Sequence, residues 1–324
     1  MKALHCIKYG SPDNLRIIEL DKPVPKDDEV LIQIHAASVN SYDCRIMRGS
    51  PFMVRFQKGL FSPKKAILGA DIAGKVEAIG KDVKGFKIGD KVYGCLADNS
   101  GDGGFAEYTC AKSSVLVHIP KGFSFEQAAA IPMAAVTALQ ALRDVGKIKA
   151  GQQVLINGAS GGVGTFAIRL AKSFGAEVTG VCSSSHIETA RSLGADFIID
   201  YTRDDFTQNG KLYDLILDIA ANRSVKEYRR SLKPGGICAV AGFSTMRHML
   251  KNVLFGSCGG KKISLVVANN TKPQDLIFIN KLLESGSLTP AIDSTFPLDD
   301  AANAFRHFET GHPNGKIIIS VRPM

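Results

Sequence analysis

The sequence predicts an α/β protein whose second half forms a doubly wound parallel sheet. A strand, a glycine-rich turn and a helix follow one another over residues 153–180, and strands then alternate with helices as far as residue 269. Residues 1–123 instead contain short apolar strands separated by Gly, Pro and Asp, which is typical of an all-β region. A chain of 324 residues is long enough for these two patterns to belong to two domains.

The glycine-rich turn carries the strongest functional signal. Residues 154–156 (VLI) form a strand of the kind that is buried on both faces, and residues 158–164 (GASGGVG) follow it closely. The next helix places apolar residues three and four positions apart, and Gly175 ends it. Such a turn lets the backbone approach a pyrophosphate at the helix N-terminus. We therefore predict that a dinucleotide is bound by the backbone N–H groups of Ala159, Ser160, Gly161, Gly162 and Val163.

The other elements are predicted from periodicity and turn residues. The strands of the parallel sheet are expected near residues 154, 178, 197, 214, 237 and 263. An alanine-rich helix over 126–142 precedes them, and helices over 273–284 and 298–309 and a strand over 316–321 follow them. The tail resembles neither another strand–helix unit nor a separate domain. These changes of pattern divide the chain into residues 1–123, 124–269 and 270–324.

Composition and charge narrow the class of protein. No apolar run reaches the roughly 18 residues that span a bilayer, and the first residues lack a long apolar core, so we predict a cytoplasmic protein with no membrane partner. Seven scattered cysteines without a C-x-x-C pair favour reduced thiols. The formal charge of +9 comes from basic residues spread along the chain. That distribution argues against nucleic acid and favours an ordinary solvated surface. The alternative is that the local basic clusters attract a phosphate-rich cofactor or an acyl-CoA-like substrate.

Several short motifs occur in a characteristic order along almost the whole chain. They are ASVNSYD at 37–43, LGADIAG at 68–74, GDKVYG at 89–94, GFAEY at 104–108, AAIP at 129–132, the glycine-rich turn, and GKIII at 315–319. This set resembles the medium-chain dehydrogenase/reductase superfamily, in its zinc-free quinone oxidoreductase-like branch. The resemblance implies a Rossmann domain (124–269) inserted into a GroES-like β-barrel catalytic domain, which is built from residues 1–123 and 270–324.

The same resemblance implies that no catalytic metal is bound. In zinc-dependent relatives, Cys, His and Cys or a carboxylate hold the zinc and leave one position open for substrate. The matching positions here are Asn40, Ala70 and Met133, whose amide, methyl and thioether groups cannot assemble such a site. Cys44 lies near these positions and is interpreted as a small packed residue.

Relatives with this zinc-free pattern reduce quinones, enones and enoyl thioesters. We therefore expect an enzyme that transfers hydride from NADPH to a quinone or an α,β-unsaturated carbonyl, whose oxygen receives the charge and needs only hydrogen-bond donors. An enoyl-thioester reductase is the alternative within enzymes. A non-catalytic NADPH-binding protein that engages RNA is the alternative of another class, although no basic patch interleaved with aromatic residues is evident.

The preference for NADPH rests on the end of the second strand of the parallel sheet. NAD-dependent enzymes place Asp or Glu there to bind the ribose 2′-hydroxyl, whereas this chain has Ser183. A carboxylate would repel a 2′-phosphate, while Ser183, Ser184 and Ser185 can donate hydrogen bonds to it. Relatives that use NADPH often carry Arg or Lys at the position of Ser185. Tyr201 matches a family position near the same phosphate, or is an ordinary aromatic residue at a strand end.

The resemblance also places residues around the nicotinamide. Asn40 and Thr137 match positions that line the ring, and Lys316 matches a position close to the cofactor. The backbone that follows the fifth strand of the parallel sheet is expected to meet the carboxamide; it comprises Ala241, Gly242 and Phe243.

Tyr42 and Asn40 are the candidate catalytic residues. Tyr42 stands where zinc-dependent relatives carry a hydroxyl that relays protons, so it either donates to the developing oxyanion or only walls the pocket. In the second case water supplies the proton and Asn40 is the main donor. Asp43 is expected to hydrogen-bond nearby backbone. The apolar strand over 263–268 is predicted at the edge of the sheet, where it would pair with its copy in a homodimer.

Overall fold

The structure is a computed structural model that describes residues 1–63, 66–97, 103–242, 257–258, 260–311 and 313–322. The chain forms two compact units. The first comprises residues 1–133, 270–285 and 292–324, and the second comprises residues 134–269 and 286–291. The contacts thus divide the chain at residue 133, ten positions after the change of sequence pattern at residue 123.

The described residues contain sixteen strands and nine α-helices. In chain order the strands are β1 (Lys2–Cys6), β2 (Leu15–Glu19), β3 (Glu29–Val39), β4 (Asp71–Ile79), β5 (Lys91–Cys95), β6 (Tyr108–Lys112), β7 (Leu116–His118), β8 (Gln153–Asn157), β9 (Glu177–Cys182), β10 (Phe197–Asp200), β11 (Tyr213–Asp218), β12 (Leu232–Val240), β13 (Ser257–Cys258), β14 (Lys261–Leu265), β15 (Ile292–Pro297) and β16 (Lys316–Ser320). The helices are α1 (Ser41–Arg48), α2 (Met53–Lys58), α3 (Phe125–Ala129), α4 (Pro132–Gln140), α5 (Gly162–Ser173), α6 (Ile187–Ser192), α7 (Val225–Ser231), α8 (Pro273–Glu284) and α9 (Ala301–Glu309).

The second unit contains the predicted parallel sheet. Its strands lie in the order β10-β9-β8-β11-β12-β14-β13, and the first six of these are parallel. The chain therefore starts in the middle, at β8, and builds outward first on one side and then on the other, which is the doubly wound order. The helix α5 buries Phe166, Ala167 and Leu170 on one face, as their spacing predicts.

The edge of this sheet differs from the prediction. Strand β14 does not lie at the edge, because β13 pairs with it in antiparallel register, with Ser257 opposite Lys262. Gly260, with φ of 73°, lies in the left-handed region that a tight return of the chain requires. The edge of β14 that was predicted to pair with its copy in a homodimer is thus already partly paired with β13 of the same chain.

The first unit contains a second seven-stranded sheet. Its strands lie in the order β15-β16-β3-β4-β5-β7, and β6 pairs with β3 as well. Strand β16 pairs with β3, with Ile317 opposite Val39, so the end of the chain completes a sheet that its beginning started.

Three predictions of secondary structure were wrong in this unit. Residues 1–123 are not all-β, because α1 and α2 lie among the strands; α1 is too short to show a long periodic pattern and ends at Gly49 with φ of 58°. The tail does form a strand–helix–strand unit, since β15 and β16 are parallel and α9 connects them. Strand β15 (IDSTFP) was missed because it is polar and half-exposed.

The predicted helix over 126–142 is also interrupted. The chain forms α3, then α4 from Pro132, and then a π-helical turn over Ala141–Val145. Proline has no N–H to donate to the preceding turn, so it begins a helix more readily than it continues one.

Replacing Gly164 by alanine is expected to destabilise the second unit. A Cβ atom at this position would lie 2.0 Å from the Gly158 carbonyl oxygen and 2.7 Å from the Ala159 carbonyl, both of which are backbone. We expect Gly164→Ala to lower the free energy of unfolding by about 2–3 kcal/mol, measured by urea denaturation.

Gly161→Ala is the matched control in the same turn. Gly161 has φ of −75°, and its added Cβ would be 3.7 Å from the nearest atom. Equal losses of stability in the two variants would show that the close approach at Gly164 does not constrain the turn.

Candidate active site

The predicted cofactor residues of the second unit follow the carboxyl ends of its parallel strands. The glycine-rich turn follows β8, the three serines follow β9, and Ala241 and Gly242 follow β12. Asp218 ends β11 and is opposite both Asn157 of β8 and Val240 of β12. Since parallel strands end at one edge of a sheet, these segments share that edge, where ligands of open α/β sheets bind.

The glycine-rich turn has the geometry of a phosphate cradle. Gly158 has φ of 90°, and Gly161 is the N-cap residue of α5. The first helical N–H groups, those of Gly162 and Val163, have no carbonyl one turn earlier within the helix to bind. They therefore point toward the space where an anion is stabilised by the helix N-terminus.

Two of the five predicted donors are already engaged within the chain, namely Gly161, whose N–H donates to the Gly158 carbonyl oxygen at 3.3 Å, and Ala159. The Ala159 N–H donates to the Val181 carbonyl oxygen at 3.0 Å, and the Gly158 N–H donates to the same oxygen at 3.2 Å. Ala159 is fully buried, and its methyl would lie 3.2 Å from a Cβ added to Gly180. Its small side chain therefore serves the packing of β8 against β9, and its amide cannot also bind a pyrophosphate.

The serines after β9 form a hydroxyl cluster. Ser183 Oγ lies 2.9 Å from Ser185 Oγ and 3.4 Å from His186 Nδ1. The same imidazole nitrogen lies 3.1 Å from Ser160 Oγ, which joins the cluster to the glycine-rich turn. Ser184 donates instead to the carboxylate of Asp200.

These contacts separate the roles of the three serines. The hydrogen bond from Ser184 lowers the pKa of Asp200. Because the Ser184 hydroxyl already donates to this carboxylate, it is not free to donate to a phosphate. The cluster of Ser183, Ser185 and His186 remains as the candidate anion site. Tyr201 is half-exposed beside it, and its N–H donates to the Cys182 carbonyl oxygen at 3.0 Å.

Three further residues that were predicted to bind the cofactor have a described setting, and one does not. The Ala241 N–H donates to the Asp218 carbonyl oxygen at 2.7 Å, and a Cβ on Gly242 would lie 3.0 Å from the Ile219 carbonyl oxygen, so this backbone packs closely on the loop after β11. Thr137 is half-buried on α4. Phe243 lies outside the described residues.

Asp218 organises that loop and was not predicted as a functional residue. Its carboxylate is fully buried and accepts hydrogen bonds from Tyr228 Oη at 2.6 Å, Asn157 Nδ2 at 3.1 Å and the Ala221 N–H at 2.7 Å. Ala221 has φ of 51°, and the bond to Asp218 holds it in this left-handed conformation. The sequence feature that could have identified Asp218 is an acidic residue at the end of an otherwise apolar strand (LILD).

The first unit holds a buried polar network around Asn40. Lys316 Nζ donates to Asn40 Oδ1 at 2.5 Å and to the Val39 carbonyl oxygen at 3.2 Å. Asn40 Nδ2 donates to Asp71 Oδ2 at 3.1 Å and to the Ser38 carbonyl oxygen at 3.2 Å. Lys316 Nζ and Asp71 Oδ2 are 3.8 Å apart, and both side chains are almost completely buried.

This network corrects the role predicted for Asn40. An ammonium on one side and a carboxylate on the other fix which end of the amide is oxygen and which is nitrogen. Both amide hydrogens and the amide oxygen already have partners, so Asn40 cannot donate to a substrate without breaking the network. Lys316 likewise is a buried cation that holds Asn40 in place.

Asp43 and Asp71 add charge to this interior. Burial raises the pKa of Asp43 to about 7, and the charge of Asp71 adds to that effect. As expected, Asp43 accepts hydrogen bonds from neighbouring backbone, namely the N–H groups of Asn40 at 2.9 Å and Gly69 at 3.1 Å. Burial also raises the pKa of Asp71, against the opposing effect of Lys316, and lowers the pKa of Lys316.

The other positions matched to zinc ligands lie in an apolar cluster. Ala70 packs with Cys95 and Ala97, and Tyr42 and Met133 pack against them. Burial raises the pKa of the Cys95 thiol well above its ordinary value, which disfavours the thiolate that binds metals. In the part of the chain that the structure describes, no group of three or more His, Cys, Asp or Glu is arranged to hold a metal ion.

Tyr42 lies between two groups of residues. Its ring packs against the apolar cluster of Ala70 and against the core that contains Cys44, and Lys58 Nζ lies 5.5 Å from the ring centroid. The donor role and the wall role predicted for Tyr42 both remain compatible with this position.

Removing the cation of the buried network is expected to be costly and dependent on pH. Lys316→Met leaves Asp71 without its opposite charge and should lower the free energy of unfolding by about 3 kcal/mol. Without Lys316, the pKa of Asp71 in the folded state rises further above its unfolded value of about 4, so the folded state binds the proton more tightly than the unfolded state. The loss of stability should therefore be larger at pH 8 than at pH 5.

Urea denaturation at the two pH values measures this, with exposed Lys84→Met as the control that should change little. A loss of the same size at both pH values would contradict the assigned coupling between Lys316 and Asp71.

Comparisons with known proteins agree with the fold. Residues 26–121 match the model of the alcohol dehydrogenase GroES-like domain, and residues 193–319 match that of a zinc-binding dehydrogenase. The 2-methylene-furan-3-one reductase of Solanum lycopersicum is 36% identical over 100% of this chain and 80% of its own length. The NADPH-dependent alkenal/one oxidoreductase, chloroplastic, of Arabidopsis thaliana is 33% identical over 98% of this chain and 79% of its own.

A solved structure of similar sequence has the same fold over almost the whole chain. The quinone oxidoreductase from Coxiella burnetii superposes with a TM-score of 0.90 and 30% identity, and the match covers 99% of both chains. With the doubly wound sheet, the glycine-rich cradle and the completed second sheet, these matches show that the chain belongs to the medium-chain dehydrogenase/reductase superfamily.

Proposed function

We propose that the protein is a zinc-independent oxidoreductase that transfers hydride from NADPH to a quinone or an α,β-unsaturated carbonyl. The observation that carries this proposal is the setting of the three positions that hold zinc in relatives. Ala70 and Met133 belong to an apolar cluster, and the Asn40 amide is saturated by Lys316, Asp71 and Ser38. The names of the reductase relatives from tomato and Arabidopsis support the same class of acceptor.

The chemistry follows from the missing Lewis acid. Alcohol oxidation near neutral pH needs a metal or a strong base to remove the hydroxyl proton. A bound NADPH would supply a hydride, and an enone or quinone accepts it while its own oxygen takes the negative charge. The protein then needs only to orient the acceptor and to donate a hydrogen bond or proton to that oxygen.

An acceptor panel tests this function. With NADPH, we expect turnover of a quinone and an enone, little turnover of a saturated ketone, and no loss of activity after dialysis against EDTA. Turnover of an enoyl-CoA well above both would favour the enoyl-thioester reductase instead. Loss of activity in EDTA that zinc restores would contradict the assignment of Asn40, Ala70 and Met133.

The preference for NADPH is supported by the hydroxyl cluster. Ser183, Ser185 and His186 present hydrogen-bonding groups where NAD-dependent enzymes carry an acid. Sequence analysis did not single out His186, although it directly follows the serines. We propose that its imidazole contributes a hydrogen bond to the 2′-phosphate, next to the position of Ser185 at which relatives that use NADPH often carry Arg or Lys.

Ser183→Asp should therefore reverse the nucleotide preference. A carboxylate repels the 2′-phosphate and binds the ribose hydroxyls, so we expect NADPH affinity to fall at least tenfold, or about 1.4 kcal/mol, with NADH affinity unchanged or higher. Calorimetric titration of both nucleotides measures this without turnover.

Ser192→Asp is the control, because it adds the same charge at an exposed position of α6. A similar loss of NADPH affinity in both variants would mean that overall charge, and not the site at Ser183, determines the preference.

Tyr42 is proposed as the donor to the developing oxyanion. Tyr42→Phe keeps the ring that packs on the apolar cluster and removes only the hydroxyl. We expect kcat for an enone to fall by roughly ten- to a hundredfold, or about 1.4 to 2.8 kcal/mol, with a smaller loss for a quinone and little change in NADPH affinity. Values within twofold of the unmodified protein for both acceptors would make Tyr42 a wall residue.

Assembly and location remain proposals. A homodimer is proposed by analogy with the family, with β13 as the outermost strand of the described sheet. No helix among the described residues is long and apolar enough to cross a membrane. A cytoplasmic location is the prediction from sequence, although the Arabidopsis relative is named as chloroplastic.

A further inference from the structure

The stretch that runs from α1 to the start of β4 has an unusual charge distribution. Between Asp43 and Asp71 the sequence contains six Arg or Lys residues and no Asp or Glu. Such a stretch contributes strongly to the formal net charge of +9, and it concentrates positive charge in one part of the first unit.

The same segment exposes large apolar side chains. Phe61 is 87% exposed and Phe56 is 65% exposed, and Phe52, Met53 and Leu60 are also exposed. The rings of Phe52 and Phe56 meet edge to face at a centroid distance of 5.4 Å, so they form one surface feature. We call residues 52–61 the apolar basic segment. Five exposed large apolar residues within ten positions exceed the scattered exposure of an ordinary protein surface.

Among the residues that the structure describes, the cations of the segment have no acidic partner. Within the described residues, neither Arg55 nor Lys58 lies within 4.0 Å of a carboxylate, whereas the nearby Arg48 pairs with Glu309 at 2.5 Å. Arg55 donates to the Gly49 carbonyl oxygen and lies over the ring of Tyr9, and Lys58 lies over the ring of Tyr42. Both charges therefore remain able to bind an external anion.

The loop after β1 extends this surface. Tyr9 Oη donates to the Gly59 carbonyl oxygen at 2.6 Å, which anchors the apolar basic segment to that loop. Ile7 and Lys8 are exposed in the same loop, so it repeats the combination of an apolar and a positively charged side chain.

We propose that the apolar basic segment binds the surface of an anionic lipid bilayer, with its Phe, Met and Leu side chains in the interfacial region and its cations on lipid phosphates. Positively charged residues next to exposed aromatic and aliphatic side chains are the combination that binds such surfaces. A second copy of the chain fits less well, because a two-fold interface would place like charges of the same segment together. Phe52, Phe56 and Phe61 do interleave with Arg55 and Lys58, which the sequence analysis did not recognise, but RNA fits less well because Met53 and Leu60, the other two exposed apolar side chains, offer no stacking surface to bases.

Sedimentation with vesicles tests the proposal and does not depend on the proposed reductase activity. We expect binding to vesicles that contain one part phosphatidylglycerol to two parts phosphatidylcholine, little binding to pure phosphatidylcholine, and weaker binding as salt increases. Phe56→Ser/Phe61→Ser and, separately, Arg55→Gln/Lys58→Gln should each reduce the partition coefficient at least tenfold.

Matched controls come from exposed positions outside the segment. Val24→Ser/Ile88→Ser removes two apolar side chains that are 85% and 68% exposed, and Lys84→Gln/Lys87→Gln removes two exposed charges; neither change should affect binding. Unchanged unfolding midpoints in urea establish that the variants are folded. If Phe56→Ser/Phe61→Ser does not fold, Arg55→Gln/Lys58→Gln alone tests the proposal.

Three results would overturn the proposal. The first is an equal loss of binding in the segment variants and in the controls. The second is binding of the unmodified protein to single-stranded RNA but not to anionic vesicles. The third is a dimer that dissociates in Phe56→Ser/Phe61→Ser, because the segment would then be a protein interface. Turnover of a water-soluble enone by NADPH in the absence of vesicles reports on the proposed function separately.

Discussion

The buried ion pair between Lys316 and Asp71 is the interaction on which the candidate site of the first unit depends. Lys316 begins β16 near the end of the chain, Asp71 begins β4, and Asn40 lies between them at the end of β3. These three strands are neighbours in the sheet, so the pair joins the two ends of the chain at the point where the site forms. Taking two charges out of water is unfavourable, and only their mutual attraction and their hydrogen bonds offset that cost.

The ion pair also explains how an asparagine fits at the position that the family resemblance matches to a zinc ligand. An amide has a donor end and an acceptor end, and here each faces a charge of the appropriate sign. The surplus carboxylate, Asp43, has a raised pKa because it is buried and, to a smaller extent, because it shares this interior with Asp71. The first unit thus keeps a fixed polar interior beside the apolar cluster of Ala70.

The features that sequence analysis predicted correctly are those that local chemistry determines. The glycine-rich turn, the six parallel strands and the stop at Gly175 follow from φ preferences and apolar periodicity within a few residues. The partners of Asn40 could not be predicted in this way, because Asp71 and Lys316 lie 31 and 276 residues away. The resemblance located Lys316 near the site, but only the structure gives the hydrogen bonds that remove Asn40 from the donors.

The errors have a similar origin. Strand β13 has only two residues, and every position of β15 is exposed or half-exposed. Neither strand therefore gives a periodic apolar signal. Ala159 was predicted as a donor from its place in the turn, whereas its amide is used by Val181 of the adjacent strand, a contact that depends on strand register. His186 joins Ser160 to Ser183 only because the fold brings the turn after β8 next to the end of β9.

The central claim is that a metal-free site of this design reduces the activated carbon–carbon double bond of an enone with hydride from NADPH. Mass spectrometry and NMR of the product formed with NADPH that carries deuterium at the transferred position test this most directly. The account predicts a saturated ketone with one deuterium on the carbon β to the carbonyl, formed by protein that contains no stoichiometric zinc. An allylic alcohol with deuterium on the carbonyl carbon would contradict it.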